Sequence, residues 1–370
     1  MRELIYDLYH ETSNRMADAL GINNKTCVFE LFIRNEDLFF TPPDFPSRIL
    51  SIAEEYDEYF DRINILGLRF NKGLLPVTAH MPIVQVQSTG LRALYLESVL
   101  INVVQLDLIY TKRLLEIKQA TNKPVLDFAL RRAPGLSAAK RFSEIATQLG
   151  MKTSNTLVAH KRPEMLVGTL PHAFVQYNIF DDIWQKDVLV KKEARLWIEL
   201  YKKFGWNVLL ADTLDSIELA KSIKEAGYGN VNWIIRLDSG DITSQIKAIS
   251  EILPNAKFVI SGDLTASKIR KYEKSRVSNL IIGYAIGTQV ANNIKPLSIV
   301  FKLVEVNGWP VYKFAPGKKQ YPYAKHSVYE GDTVILEKGL LKDGDTAVYD
   351  PYSSFDTINH FVIHESLKYE

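Results

Sequence analysis

Trp233-Ile234-Ile235-Arg236-Leu237-Asp238-Ser239-Gly240-Asp241 is an apolar run of strand length that ends abruptly in charged residues and a glycine. Strands buried on both faces of a parallel sheet read as continuous apolar runs. In βα barrels, the residues that follow the C-terminal strand ends carry the chemistry. The charged side chains of this segment cannot enter an apolar core without partners. A solvated turn in which Ser239 or Asp241 caps the next helix would also account for the pattern.

The same pattern recurs in three other segments, which are Trp206–Thr213, Lys257–Asp263 and Leu280–Thr288. Helix-like segments separate all four, so we predict that their ends form one rim of a βα barrel. We place Gly262, Gly283 and Gly287 at strand ends, where a missing side chain lets backbone N–H groups approach a phosphate. In many βα barrels the phosphate site follows the last strands, and Gly287-Thr288 fits that place.

Composition excludes several classes of function. The 370 residues include 45 basic and 43 acidic side chains, and this near balance predicts no nucleic-acid partner. Cys27 is the only cysteine, so the chain has neither an internal disulfide nor a cysteine zinc site. We find no apolar stretch of membrane-spanning length, and the charged start Met1-Arg2-Glu3 does not resemble a signal peptide. We therefore expect a cytoplasmic protein with no membrane partner.

The order of the segments predicts an α/β fold with two domains. Residues 1–122 contain two strand patterns and a long helix, and we assign them to the N-terminal part of an α/β sandwich. Residues 123–295 alternate strands and helices and form an irregular βα barrel, the catalytic domain, with a short strand at Val167–Leu170. Residues 296–370 hold hairpin-like strands and return to the sandwich domain.

A second group of polar residues lies in Asp127–Gly135, where Arg131 and Arg132 follow a predicted strand. Arginine presents forked donors that suit phosphate or carboxylate. Adjacent residues on a strand point to opposite faces, so only one of the two enters a site unless the backbone turns. A surface pair that bridges helix carboxylates is the alternative interpretation.

His172 is the histidine that the pattern favours for chemistry. It follows the short predicted strand in Gly168–Phe174, next to the acidic and glycine-rich strand ends. We interpret it as a candidate acid, base or phosphate acceptor. We interpret the remaining histidines as structural or solvent-facing; they are His10, His80, His160, His326, His360 and His364.

Taken together and in order, these segments resemble the nicotinate phosphoribosyltransferase family, which has the type II phosphoribosyltransferase fold. The match covers most of the chain, and its specificity lies in the joint order of motifs that are weak one by one. The matching segments are Phe128–Gly135, Thr153-Ser154-Asn155, Gly168–His172, Asp212-Thr213, Arg236–Asp241, Ser261–Leu264 and Gly287-Thr288.

The resemblance implies a reaction of nicotinate with phosphoribosyl pyrophosphate that yields nicotinate mononucleotide and pyrophosphate, in NAD biosynthesis and salvage. It implies ATP as a co-substrate, hydrolysed through a phosphohistidine at His172, which Asp212 orients. It also implies Mg²⁺ and a homodimer or a higher homo-oligomer. Loss of pyrophosphate leaves positive charge on ribose C1, which carboxylates such as Asp238 stabilise.

The resemblance further assigns substrate-binding roles. Phe128 would stack on the pyridine ring, opposite Tyr9 of the partner subunit. Arg131 and Arg236 would meet the nicotinate carboxylate or a phosphate. The other implied roles are ribose or magnesium binding by Asp238 and Asp263, a 5′-phosphate cradle at Gly262, Gly287 and Thr288, and further substrate contacts at Thr153, Ser154, Ser239 and Gly240.

Three alternatives stay open. Nicotinamide as the substrate differs only by an amide in place of a carboxylate. Quinolinate phosphoribosyltransferase shares the architecture, but it needs cations for a second carboxylate and has no phosphohistidine. A paralogue without turnover could keep the fold for binding or regulation, although a scaffold has no physical need for His172, Asp212, Asp238 and Asp263 together.

Overall fold

The structure of the chain, a computed structural model, describes residues 5–55, 65–71, 73–160, 162–180, 184–311, 313, 323–330, 333–338, 340–341 and 360–363. The chain divides into two compact units. Unit 1 joins Met1–Lys112 with Ile294–Glu370, and unit 2 is Arg113–Asn293. The predicted segments 1–122, 123–295 and 296–370 stay a prediction.

The strands are short and alternate with helices through the middle of the chain. In chain order they are β1 (Thr26–Ile33), β2 (Phe39–Phe40), β3 (Ile65–Phe70), β4 (Pro76–Val77), β5 (Val84–Thr89), β6 (Val125–Asp127), β7 (Lys152–Thr153), β8 (Val208–Leu210), β9 (Ile234–Leu237), β10 (Lys257–Ile260), β11 (Ile281–Ile286), β12 (Ile299–Val306), β13 (Trp309–Pro310), β14 (Lys325–Glu330), β15 (Thr333–Lys338) and β16 (His360–Ile363).

The α-helices are α1 (Leu8–Ala19), α2 (Phe45–Glu55), α3 (Glu97–Ala120), α4 (Leu136–Gln148), α5 (Thr156–Ala159), α6 (His172–Ile179), α7 (Lys186–Phe204), α8 (Ser216–Ile223), α9 (Ile242–Ile252), α10 (Ala266–Glu273) and α11 (Thr288–Ala291). A 3₁₀ segment, Gly90–Leu96, precedes α3, and a π turn, Lys224–Tyr228, follows α8. Side chains cap the last long helices of unit 2. Asp215, Asp241 and Thr265 each accept a hydrogen bond from a backbone N–H in the first turn of α8, α9 or α10.

Unit 2 is built on a parallel six-stranded sheet of order β7-β6-β11-β10-β9-β8. The apolar runs supply its buried side chains, among them Ile235, Leu237, Phe258 and Ile260. Because the strands are parallel, all their C-terminal ends lie along one edge. The predicted α/β class is confirmed, and the sheet is an open half-barrel, because no strand pairs β7 with β8 among the described residues.

Two predictions on these strands are wrong. No strand forms at Val167–Leu170: the segment makes one bridge, Leu166 with Thr153, and Gly168 and Thr169 then line a cleft instead of pairing. Gly283 is not at a strand end but inside β11, where a Cβ would lie 3.1 Å from the Pro124 carbonyl oxygen. Its lack of a side chain therefore serves close packing against β6.

Unit 1 contains an antiparallel sheet of order β13-β12-β1-β5-β3. β1 lies at its centre, between β5 and β12, so a strand from the end of the chain pairs with one from its start. The core beside β1 includes the stacked rings of Phe29 and Phe301, 5.3 Å apart. This pairing provides the predicted return of the C-terminal segment to the N-terminal part.

A buried ion pair also joins β14 to this sheet. Lys325 Nζ lies 2.5 Å from Glu30 Oε2, and both side chains are almost completely buried. The Lys325 backbone N–H donates to Glu30 Oε1, which also accepts from Gln85 Nε2. Buried charges of this kind are stable only when paired and hydrogen-bonded, which is the case for Glu30.

One helical stretch of the described residues, 90–120, is long and apolar enough to cross a membrane. The prediction that no apolar stretch has this length was therefore wrong. Its apolar side chains nevertheless face the protein interior, since Leu100, Val104, Leu108 and Leu114 are fully buried. We therefore interpret α3 as a core helix, since long apolar helices in a protein interior have the same length and composition as membrane-spanning ones.

Candidate active site

A cleft of about 670 Å³ opens at the C-terminal ends of the unit 2 strands. Most of the predicted site residues line it. They are Phe128, Arg131, Ser154, His172, Asp212, Arg236, Asp238, Ser239, Gly262, Asp263, Gly287 and Thr288. Six different βα loops and the start of α6 therefore converge on one opening, where the fold places reactive groups.

Three predicted site residues lie elsewhere. Thr153 is fully buried and its hydroxyl bonds Asp127 Oδ2 at 2.7 Å, so it is not carried into the proposed site. Gly240 lies beside the cleft without lining it; its φ of +80° favours glycine, and a Cβ would come within 2.7 Å of Gln245 Nε2. Tyr9 belongs to α1 of unit 1, where 56% of the residue is exposed, and its predicted role across a subunit interface stays a prediction.

Arg236 is held rigidly at the floor of the cleft. Its Nε donates to Ser261 Oγ at 2.9 Å, and one terminal nitrogen donates to Asp238 Oδ2 at 3.0 Å. The guanidinium carbon lies 5.4 Å from the centre of the Phe128 ring. The side chain is mostly buried, and its cationic group lies beside a flat aromatic ring, a combination that suits a planar anionic ligand.

Asp212 connects the C-terminal ends of β8 and β9. Its Oδ2 accepts the Asp238 backbone N–H at 3.0 Å and the Ser239 hydroxyl at 2.8 Å. Its Oδ1 is buried and lacks a hydrogen-bond partner within the described parts of the chain. That oxygen lies 3.7 Å from His172 Nε2. A carboxylate with one committed and one free oxygen can orient a neighbouring imidazole.

His172 is the first residue of α6 and is 40% exposed to the cleft. Its Nδ1 lies 3.0 Å from Thr213 Oγ1, while Nε2 faces Asp212. Two neighbouring side chains therefore fix the plane of the ring. One nitrogen is engaged by a hydroxyl, and the other faces a carboxylate beyond hydrogen-bond distance.

Gly262 and Asp263 form a tight turn after β10. Gly262 has a φ of +82°, and a Cβ there would lie 2.0 Å from the Asp238 carbonyl oxygen. Asp263 also has a positive φ, 47°, which is uncommon for residues other than glycine. Strain of this kind clusters at ligand sites, where the backbone is shaped for a bound group.

Asp127, at the end of β6, supports the loop that carries Phe128 from beneath the cleft. Its Oδ2 accepts from Ser143 and Thr153, and its Oδ1 accepts the Ala129 N–H at 2.8 Å. Burial raises the pKa of this carboxyl, against these hydrogen bonds. The network shows that Thr153 contributes to the shape of the site from behind.

The structure gives roles to residues that were not selected from the sequence, of which Arg132 and Ser261 line the cleft. Arg132 lines the cleft together with Arg131 because the backbone turns after Ala129. The Ala129 carbonyl oxygen accepts the backbone N–H groups of Arg132 and Ala133 in this turn. Thr213 and Ser261 were quoted within motifs, but their roles depend on which side chains they meet. The sequence does not indicate a buried role for Glu193 on α7, because a single acidic residue in an amphipathic helix is normally expected on the exposed face.

The site shows no ready-made metal centre. No group of three or more His, Cys, Asp or Glu side chains within the described ranges is arranged to hold a metal ion. Asp238 and Asp263 are the predicted magnesium ligands, and both line the cleft. Mg²⁺ commonly uses one or two carboxylates and takes its other ligands from substrate phosphates and water, so this pair fits that mode.

The half-barrel and its cleft define a type II phosphoribosyltransferase fold. The structure of nicotinate-nucleotide pyrophosphorylase from Pyrococcus furiosus matches with a TM-score of 0.68 at 19% identity, covering 90% of this chain and 82% of that one. Human nicotinic acid phosphoribosyltransferase matches with a TM-score of 0.66 at 19% identity, covering 90% and 81%. At this identity the likeness concerns the fold alone.

Curated relatives narrow the class. Nicotinate phosphoribosyltransferase of Mycobacterium tuberculosis is 30% identical over 289 residues, which is 71% of this chain and 58% of that protein. The Bacillus subtilis enzyme is 26% identical over 288 residues, 71% and 56% of the two chains. No protein-family model matches the chain. The chain belongs to the nicotinate phosphoribosyltransferase family, and its match spans less than two thirds of these relatives' length.

Proposed function

We propose that this protein transfers the phosphoribosyl group of phosphoribosyl pyrophosphate to nicotinate, giving nicotinate mononucleotide and pyrophosphate. The observation that carries the proposal is the convergence of His172, Asp212, Arg236, Asp238 and Asp263 on one cleft. The names of the relatives supply the substrate class. The reaction breaks the C1–O bond to pyrophosphate and forms a C1–N bond to the pyridine nitrogen.

The cleft residues suit the two charges that develop in this reaction. Positive charge grows on ribose C1 as pyrophosphate leaves, and Asp238 and Asp263 supply fixed negative charge. Arg131 and Arg132 are exposed in the same cleft and can receive the departing anion. Phe128 with Arg236 offers a ring face beside a cation, which suits nicotinate better than uncharged nicotinamide.

Mg²⁺ belongs to this proposal as a partner of the pyrophosphate group. Asp238 and Asp263 would hold it, and when bound it neutralises charge on the leaving oxygens. The protein's own contribution is to hold these two carboxylates: the Asp238 N–H is bonded to Asp212, and Gly262 lets its backbone pass close to the Asp238 carbonyl.

We also propose that ATP hydrolysis is coupled to the reaction through His172. The imidazole nitrogen would attack the γ-phosphorus of ATP, ADP would leave, and water would later release phosphate from the phosphohistidine. Asp212 and Thr213 would hold the ring in place during both steps. The proposal includes a cytoplasmic location and a homodimer or higher homo-oligomer, in which Tyr9 of the partner subunit covers the pyridine ring.

An assay of pyrophosphate release tests the function. The purified protein receives phosphoribosyl pyrophosphate, Mg²⁺ and ATP, with nicotinate, nicotinamide or quinolinate offered separately, and the nucleotide product is identified by mass. We expect release with nicotinate and at least tenfold less with the other two. Faster release with quinolinate, accompanied by CO₂, or no release with any substrate would overturn the proposal.

Replacing His172 with Ala separates ATP coupling from phosphoribosyl transfer. We expect His172→Ala to abolish the stimulation by ATP while the dissociation constant for nicotinate changes by less than about threefold, because the ring touches Thr213 and Asp212 rather than the Arg236 floor. The measurements are turnover with and without ATP, and calorimetry with nicotinate. His160→Ala, a histidine outside the cleft lining, is the control. ATP-stimulated turnover by the His172 variant would contradict the assignment.

A further inference from the structure

Glu193 is a buried acid of α7 that the proposed reaction does not use. Its side chain is fully buried, and Oε1 accepts a hydrogen bond from the Trp197 indole Nε1 at 3.4 Å. Its Oε2 is buried and has no hydrogen-bond partner among the residues that the structure describes. Buried side-chain polar atoms are nearly always paired, so this oxygen requires an explanation.

A second carboxyl group of unit 2 also has an unpaired oxygen. Asp212 Oδ1 is likewise buried without a hydrogen bond, and it faces His172. The two carboxyl groups are within electrostatic range, since the charge of Asp212 contributes to raising the pKa of Glu193. A negative charge within electrostatic range of a buried carboxyl group disfavours the ionisation of that group. Burial and the neighbouring charge both favour the protonated form of Glu193 by raising its pKa.

We propose that Glu193 is a positioning residue: it stands as an uncharged carboxylic acid on α7, which packs against the helix that begins at His172, and it leaves Asp212 the single negative charge beside His172. This inference rests on the proposed function, because it matters for a histidine that receives a phosphoryl group. An ionised Glu193 would add a second negative charge where the phosphoryl group arrives, and repulsion would disfavour phosphohistidine.

The charges around Glu193 are consistent with this assignment. Burial raises its pKa to about 8, Asp212 adds to the rise, and the Trp197 hydrogen bond opposes it. α7 packs against α6 and α8. α6 begins with His172, which faces Asp212. The charged groups of α8 form exposed ion pairs. Lys221 pairs with Glu218, and Asp215, the cap of α8, pairs with Lys186 of α7.

Protonation of Glu193 makes the stability of the folded protein depend on pH. Between the ordinary value of 4.5 and about 8, the folded protein holds one proton more than the unfolded chain. Stability contributed by this group is therefore complete below pH 4.5, falls as pH rises, and levels off above pH 8. Glu193→Gln copies the neutral acid, so its melting temperature should exceed that of the wild type near pH 8 and lack this fall.

The decisive experiment compares Glu193→Gln with the control Glu199→Gln, an exposed acid on the same helix. Turnover and the NMR signal of the His172 ring are followed from pH 6 to 10. We expect the wild type and Glu199→Gln to lose at least fivefold in turnover through a step near pH 8, with a matching step in the His172 signal. Glu193→Gln should keep turnover at pH 7 within threefold and lack both steps.

A second variant, Trp197→Phe, tests the inference even where Glu193→Gln does not fold. Trp197→Phe removes a hydrogen bond that lowers the pKa of Glu193, so the step should move to higher pH. A step unchanged in Glu193→Gln, or moved to lower pH in Trp197→Phe, would overturn the inference. If the wild type shows no phosphoribosyl transfer, the proposed function fails by itself, and the melting and NMR measurements still decide the state of Glu193.

Discussion

Replacing Asp238 with Asn is expected to lower turnover by about 10²–10³, the loss that follows removal of one well-placed electrostatic group in enzymes. Asp238 lines the cleft at the end of β9, and its backbone is held on both sides. Its N–H donates to Asp212 Oδ2, and its carbonyl oxygen lies against Gly262. Asn keeps the shape and an acceptor for Arg236, so the change removes mainly the charge.

Stability should change little in this variant. The Arg236–Asp238 pair is partly exposed, with 28% of the Asp238 side chain accessible, and such pairs contribute at most about 1 kcal/mol. Turnover and thermal melting are measured together. If Asp238→Asn melted much earlier yet turned over normally where folded, the carboxylate would be a structural partner of Arg236 and nothing more.

Glu273→Gln is the matched control for Asp238→Asn. Glu273 also holds a cation, Lys123, and it accepts from the Tyr284 and Thr121 hydroxyls. These contacts lie next to the start of β6 and β11, away from the cleft lining. The control should therefore lose stability while keeping turnover, the reverse of the Asp238 result.

Replacing Lys325 with Met is expected to destabilise unit 1 by about 3–5 kcal/mol, because the change leaves Glu30 as an uncompensated buried charge. Lys325 Nζ lies 2.5 Å from Glu30 Oε2 with both side chains excluded from water. The measurement is urea denaturation, with hydrogen exchange of the β1 and β14 peptides to assign the loss to unit 1.

Two further variants make this stability prediction specific. Lys325→Met combined with Glu30→Gln removes both charges, keeps an acceptor for the Lys325 backbone N–H and for Gln85, and should recover most of the loss. Lys203→Met breaks the exposed pair with Glu199 and should change stability by less than about 0.5 kcal/mol. Equal losses in the Lys325 and Lys203 variants would show that the buried pair contributes no more than a surface pair.

Much of unit 2 could be predicted from local sequence, because each strand of a parallel sheet is an apolar run ended by polar residues. Trp233–Asp241 shows this pattern, and β9 ends at Leu237, directly before the residues that enter the cleft. Asp241 caps α9, as the turn interpretation required. The cap and the strand end proved compatible, so the two interpretations were not exclusive.

The errors share a physical cause. Val167–Leu170 has the composition of a strand, but pairing requires a neighbour in register, and the segment bends into the cleft after one bridge. The substrate contact of Thr153 stays a prediction, and in the structure its hydroxyl donates to Asp127 Oδ2. Residue type predicts that a hydroxyl will find a partner; the side to which it points depends on the surrounding packing.

The sequence by itself determined the α/β class, the strand ends and the family, because hydrophobic periodicity and motif order are local properties of the chain. Only the tertiary structure decided which polar groups meet. Glu30 and Lys325 are 295 positions apart, and Asp212 reaches His172 and Asp238 from a different strand. Such contacts form when strands align, and burial then determines which carboxyl groups keep a proton, as at Glu193.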